Sequence, residues 1–173
     1  MGTLSLRFWS RRPQASAPDI PLADRAAFSD LYHKAHRDVF RYALGFLGDV
    51  AQAEDITAET FLKAWDKRLS FTGDQGAALR WLLTIAKRLI INRWHKTQRQ
   101  PTHISLNNLA LADANLQPEQ HLIQQEQQAA LRRLVATLPH EQQEMLVLRY
   151  VLGWQVNAIA AHTGQKANTV SVT

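Results

Sequence analysis

The chain contains no cysteine, which excludes disulfides, thiolate zinc sites and a cysteine nucleophile together. That composition suits a reducing compartment, so a cytoplasmic protein is expected. No run approaches the roughly twenty apolar residues that a membrane span needs, and segment 1–21 scatters its apolar residues too thinly for a signal-peptide core. Membrane insertion is therefore not expected. There is also no His-Glu-x-x-His pair, no glycine-rich phosphate loop and no nucleophile elbow. Of the seven histidines only His33 and His36 lie close together. The expectations are ordinary surface histidines, no metal, no cofactor and no enzymatic chemistry.

The most telling absence is local. From Ala77 to His103 there is no carboxylate, while Arg80, Lys87, Arg88, Arg93, Lys96 and Arg99 are all cationic. A polyanion is the natural partner of such a stretch. Just upstream the opposite holds: between Asp49 and Glu59 every charge is negative, so that surface repels a phosphate backbone and attracts a basic protein element. The overall charge of +5, from 20 Lys and Arg against 15 Asp and Glu, says less than this segregation.

Both stretches carry helical periodicity. Ala58, Phe61, Leu62 and Trp65 recur at i, i+3, i+4 and i+7, predicting an apolar stripe, with Asp55 and Glu59 one turn apart on another face. In the basic helix Trp81, Leu82, Ile85 and Leu89 form the expected core side, and Arg80, Thr84, Lys87, Arg88 and Asn92 the cationic, hydrogen-bonding side. Spacing alone leaves three alternatives open. A basic amphipathic helix can also lie on a membrane, although its apolar face here is sized for packing inside a domain. The acidic helix can be a solvated first turn favoured by the macrodipole, and Trp94, set among Asn92, Arg93 and Lys96, can stack on an unpaired base or be buried.

The pattern predicts an all-α chain of two small helical domains joined by a flexible linker. Segment 1–23, with Arg7, Arg11, Arg12 and several prolines, reads as a flexible basic tail. Segment 24–96 reads as a first lobe: a helix over Phe28–Leu47 stopped by Gly48, the acidic helix, a turn around Gly73 and Gly76, and the basic helix. A polar linker bounded by Pro101 and Pro118 is expected over 97–118. The second lobe, 119–173, is expected to bury Leu131, Leu134 and Leu138, then Met145, Leu146 and Tyr150 after Pro139. Its last part has Ala160, Gly164 and Val170 at helix-turn-helix spacing: a small residue for close approach, a glycine for positive φ and an apolar closing residue. Two packed helices without a DNA role would show the same spacing.

In this order the parts resemble the extracytoplasmic-function (ECF) group of bacterial sigma-70 factors. Ala53-Glu54-Asp55-Ile56 with Glu59-Thr60-Phe61-Leu62-Lys63-Ala64-Trp65 is similar to the family's polymerase-binding helix. Phe71-x-Gly73-Asp74 resembles the loop before its promoter-reading helix, and Trp81-Leu82-x-x-Ile85-Ala86 that helix itself. Leu138-Pro139, Leu148-Arg149-Tyr150 and the helix-turn-helix resemble its downstream DNA-binding domain. The resemblance implies a sigma2-like bundle and a sigma4-like domain in a dissociable subunit that docks on core RNA polymerase, recognises two promoter elements and aids melting. Glu54, Asp55, Ile56, Glu59, Phe61 and Leu62 would then face the coiled coil of the polymerase's largest subunit, with the flap as a further contact. Phe71, Gly73 and Asp74 would hold a flipped minus-ten base, and Arg80, Thr84, Lys87, Arg88, Asn92, Arg93 and Lys96 the opened strand. Lys166, Asn168, Thr169 and Ser171 would meet the minus-35 duplex. An anti-sigma factor is an implied partner.

The chain departs from the family pattern at three places. Ala58 stands where glutamine is frequent in the docking helix, and Arg88 where a base-contacting asparagine is frequent, so minus-ten selectivity does not carry over at that position. The sequence stops at Thr173 inside the recognition helix, from which a frayed helix and weak duplex binding are expected. The alternative function is a sigma-like decoy that binds polymerase or an anti-sigma factor without productive initiation.

Overall fold

The computed structural model describes residues 19–97, 134–135 and 137–172. Helix α1 spans Arg25–Leu47. It starts where the Asp24 carboxylate accepts the Ala26 N–H, and stops at Gly48, whose φ of 65° lets its N–H close on the Leu44 carbonyl. Its buried face runs Phe28, Leu31, Ala35, Val39, Tyr42, Ala43 and Leu47. The small residues at the middle of that face let two further helices approach closely.

Helix α2, Val50–Lys67, is capped by Asp49, which accepts the Gln52 N–H at 2.8 Å. Its core face is Ala53, Ile56, Thr60, Phe61 and Ala64, not the stripe expected from spacing. Ala58 and Leu62 point to solvent, Leu62 with 66% of its surface exposed. The reason is Thr60: its hydroxyl donates to the Ile56 carbonyl at 2.7 Å, so a nominally polar residue packs as an apolar one and sets the phase.

After a short 3-10 turn at Arg68–Ser70, helix α3 spans Gln75–Thr97. Asp74 accepts the Ala77 N–H at 2.7 Å and caps it. Ala78, Leu79, Leu82, Leu83, Ile85, Ala86, Leu89 and Ile90 are all buried, a broad stripe because α3 packs on both α1 and α2. Burying each Leu or Ile contributes about 1.5–3 kcal/mol. The expected tail requires correction at its end. Leu22 is 1% exposed and the Ile20 N–H donates to the Gly73 carbonyl at 3.0 Å, so apolar Ile20 and Leu22 tie this segment to the loop before α3. Residues 1–18 lie outside the described residues.

In the second lobe, α4 spans His140–Leu146 and runs into a π-helical turn at Val147–Val151. Helices α5, Val156–Thr163, and α6, Ala167–Val172, follow. The π-turn overturns one expectation. Its wider turn, closed by the Leu152 N–H on the Val147 carbonyl, aims Val147 and Leu148 inward and leaves Tyr150 80% exposed. Met145 is buried as expected, but Leu134 is exposed, and Glu119, Leu131 and the 98–118 part of the linker fall outside the described residues. Ala160 is buried, Gly164 adopts φ 71° and Val170 packs on the core, the arrangement a helix-turn-helix needs.

The two lobes are in contact. The π-turn lies on α1, and an added Cβ on Gly45 would come within 3.0 Å of both Val147 methyls. Any side chain there would press on Val147, which would have to give by a few tenths of an ångström.

Candidate nucleic-acid interface

On α2 the docking residues expected from the sequence divide in two. Glu54, Asp55, Glu59 and Leu62 are exposed, whereas Ile56 and Phe61 are 2% and 6% exposed in the core. Phe61 packs edge-on against Phe28 and Tyr32, so Ile56 and Phe61 position the acidic face rather than form it. Glu59 pairs with Lys63 at 3.5 Å and Asp55 with Arg93 at 3.3 Å. Both pairs are solvent-exposed, of the kind that contributes about 0–1 kcal/mol and rearranges readily. The second pair joins the acidic face of α2 to the basic face of α3.

The loop before α3 is built from backbone constraints. Gly73 has φ +145°, and a Cβ there would sit 2.8 Å from that of Ala77, so a side chain is excluded by both conformation and space. The Phe71 ring lies 4.9 Å from that of Trp81 and tilts 36° to it, leaving an aromatic pair beside the capped start of α3. Asp74 serves as the cap, which holds its carboxylate on the helix rather than aimed outward.

Along α3, Arg80, Arg88, Asn92 and Lys96 are exposed and Thr84 is partly so, its hydroxyl donating to the Arg80 carbonyl at 2.9 Å. Lys87 and Trp94 behave differently because the second lobe reaches them. Lys87 Nζ lies 2.5 Å from Glu144 Oε2, and the Trp94 ring is 4.1 Å from the His140 ring with 32° between planes.

Glu144 is the centre of this seam and was not foreseen. It is 1% exposed, yet its Oε1 accepts the Tyr42 hydroxyl at 2.9 Å and lies 3.3 Å from His162 Nε2, while Oε2 takes Lys87. Burial pushes the carboxyl upward, but hydrogen bonds with His162 and Lys87, the Lys87 charge and the Tyr42 hydroxyl together hold it below its ordinary value. Burial and the Glu144 carboxylate push Tyr42 well above its ordinary range. The expectation of surface histidines is corrected at His162, whose side chain is 5% exposed. The Arg41 guanidinium donates to the Val151 carbonyl and closes the seam on its other side.

In the helix-turn-helix, Lys166, Asn168 and Thr169 are exposed at the start of α6, and the side chain of Ser171 lies outside the described residues. Thr163, the last residue of α5, donates to the Ile159 carbonyl at 2.9 Å. Among the described residues no cluster of His, Asp and Glu is arranged to hold a metal, and no helix is long and apolar enough to cross a membrane.

Comparison with known proteins follows the same division. The family model for Sigma-70 region 2 matches residues 31–100, and that for Sigma-70 region 4 matches residues 128–173. The ECF RNA polymerase sigma factor SigL of Mycobacterium tuberculosis is 33% identical over 154 residues, covering 86% of this chain and 82% of SigL. BldN of Streptomyces coelicolor, also an ECF RNA polymerase sigma factor, is 33% identical over 173 residues, covering 92% of this chain but 64% of BldN, so the chain spans just under two thirds of that relative. Among solved structures, the sigma factor RpoE of Bartonella quintana, crystallised with the anti-sigma factor NepR, shares the fold at a TM-score of 0.62 and 20% identity, over 84% of this chain and 88% of that one. With the acidic helix, the cationic helix and the helix-turn-helix in the family's order, the chain belongs to the ECF group of sigma-70 RNA polymerase sigma factors.

Proposed function

We propose that this chain docks on core RNA polymerase through the exposed carboxylates of α2 and captures the opened minus-ten strand on α3. The observation that carries this reading is the separation of charge within one lobe: Glu54, Asp55 and Glu59 face solvent on α2, and α3 has five Arg and Lys residues without one carboxylate. Arg80, Lys87, Arg88, Arg93 and Lys96 would hold phosphates, with Thr84 and Asn92 as neutral hydrogen-bonding neighbours. Such contacts position the strand without identifying it. Phe71 and Gly73 would border the site of a base turned out of the stack, with Asp74 capping α3 beneath them. Capturing that base and the exposed strand favours the melted state and offsets a few kcal/mol of unstacking. No hydrolytic step is required, and the role is that of a binding subunit rather than an enzyme.

In the same proposal residues 24–96 and 119–173 act as the two promoter-binding units, joined by 97–118, with Lys166, Asn168, Thr169 and Ser171 turned to the minus-35 duplex. An anti-sigma factor, the partner named for RpoE of Bartonella quintana, would act on this pair of units. The test is copurification with core polymerase followed by run-off transcription. The parent chain binds core and yields transcript. The double substitution Glu54→Lys, Asp55→Lys abolishes copurification while helicity persists, and unchanged binding by that variant would overturn the docking face. Binding without transcript would establish the decoy in its place.

A further inference from the structure

We infer that the segment before α1 is a strap that positions the base-holding loop, with Ile20 as the positioning residue: its backbone N–H fixes the Gly73 peptide, so capture of the unstacked base depends on a residue far earlier in the chain. This rests on the reading of the loop at 71–74 as the one that holds that base.

The loop is held at both ends from within. The Phe71 N–H donates to the Arg68 carbonyl at 3.3 Å and the Phe71 ring lies against Trp81, while Asp74 caps α3 through the Ala77 N–H. Between these two anchors stands Gly73 at φ +145°, a conformation open to glycine but one that no side chain holds in place. What holds it comes from outside the loop, the 3.0 Å bond from the Ile20 N–H to the Gly73 carbonyl. Because the peptide is planar and trans, that bond also turns the Asp74 N–H of the same peptide away from the strap, which fixes the direction of a backbone donor in the loop. The Phe71 ring reaches within 3.3 Å of where a Gly73 Cβ would stand, so the glycine peptide and the aromatic ring are placed together.

The strap is itself firmly seated. Leu22 is buried and Ile20 packs on the core. The Leu22 N–H closes on the Ile20 carbonyl and the Asp24 N–H on the Pro21 carbonyl, each at 2.9 Å, and Asp24 then caps α1. Pro21 restricts the backbone of Ile20 to extended conformations. A continuous, internally bonded path therefore runs from the start of α1 to Gly73. Losing its last bond weakens the base-dependent part of binding by about two- to tenfold, and by reciprocity the captured base holds the strap down by the same factor.

The test uses the full-length chain, free and on core polymerase. The parent selects its best ligand from a pool of randomised single-stranded DNA, and each base of that ligand is then replaced in turn by an abasic site; the position whose loss weakens binding most marks the captured base. Ile20→Pro removes the N–H and keeps extended backbone. Its ratio of affinities for the intact and abasic oligonucleotides is expected to fall by about two- to tenfold, while its affinity for the abasic form, carried by phosphate contacts, stays at the parent value. Ile20→Val keeps the N–H and restores the parent ratio. Hydrogen exchange at the Ile20 amide of the free parent, followed by NMR, reads the same coupling without a substitution: the intact oligonucleotide slows it by that factor and the abasic one does not. An unchanged ratio in folded Ile20→Pro, or exchange at Ile20 that is the same with either oligonucleotide, would overturn the strap and leave the base-holding reading standing. A parent that shows no base dependence at any position would bring down both.

Discussion

Tyr42→Phe removes one oxygen from the seam and almost nothing else. The ring stays fully buried, packed against Phe46 at 5.0 Å, so no cavity of consequence opens. What is lost is a hydrogen bond of 2.9 Å to a carboxylate that is 1% exposed. A bond to a buried charged acceptor contributes about 1.5–3 kcal/mol. Glu144 keeps Lys87 and the neighbouring His162, which places the expected loss near the middle of that range, about 2 kcal/mol. For a chain of this size unfolding as one unit, that is a fall of roughly 4–8 °C in Tm. The double variant with Glu144→Gln separates this loss from a packing change, because the hydroxyl then has no carboxylate to stabilise and the two losses do not add. Thermal and urea unfolding followed by far-UV circular dichroism give both quantities. A single variant within about 0.5 kcal/mol of the parent, or full additivity with Glu144→Gln, would refute the seam as a cohesive contact.

Three further outcomes are expected. The Glu144 carboxyl is held below its ordinary value of 4.5 where the two lobes meet, so its contribution is fully present above that pH and is lost as pH falls through the lowered value; fluorescence transfer between labelled lobes reports their separation in acid, and Glu144→Gln flattens that acid transition. Gly73→Ala forces a side chain onto φ +145° and against Ala77, a strain of order 1–3 kcal/mol that lowers the urea midpoint and disturbs the loop before α3. Arg80→Ala and Arg88→Ala, both exposed on the cationic face, each reduce the salt dependence of single-strand binding by roughly 0.7 log units per log salt, whereas a slope unchanged by either would remove that residue from the interface.

Local chemistry made much of the molecule readable in advance. Gly48 as a stop, the helix-turn-helix skeleton of Ala160, Gly164 and Val170, and the opposite charges of α2 and α3 are all set within a few residues of chain, because caps, positive φ and charge runs act over that distance. The phase of α2 was not readable in the same way. A threonine bonded to its own helix packs like an apolar residue, and spacing rules cannot register that. Tyr150 was misplaced for a related reason, since one wide turn rotates every side chain after it.

What the sequence by itself determined is the set of helices and the sign of each face, both consequences of near-neighbour chemistry. What only the tertiary structure decided is which of those faces is covered. Tyr42 and Glu144 are 102 residues apart, Lys87 and Glu144 57, and Arg41 and Val151 110. No periodicity spans such separations. A lysine that reads as a phosphate ligand and a glutamate with no evident role become partners only when Gly45 lets the second lobe settle on the first.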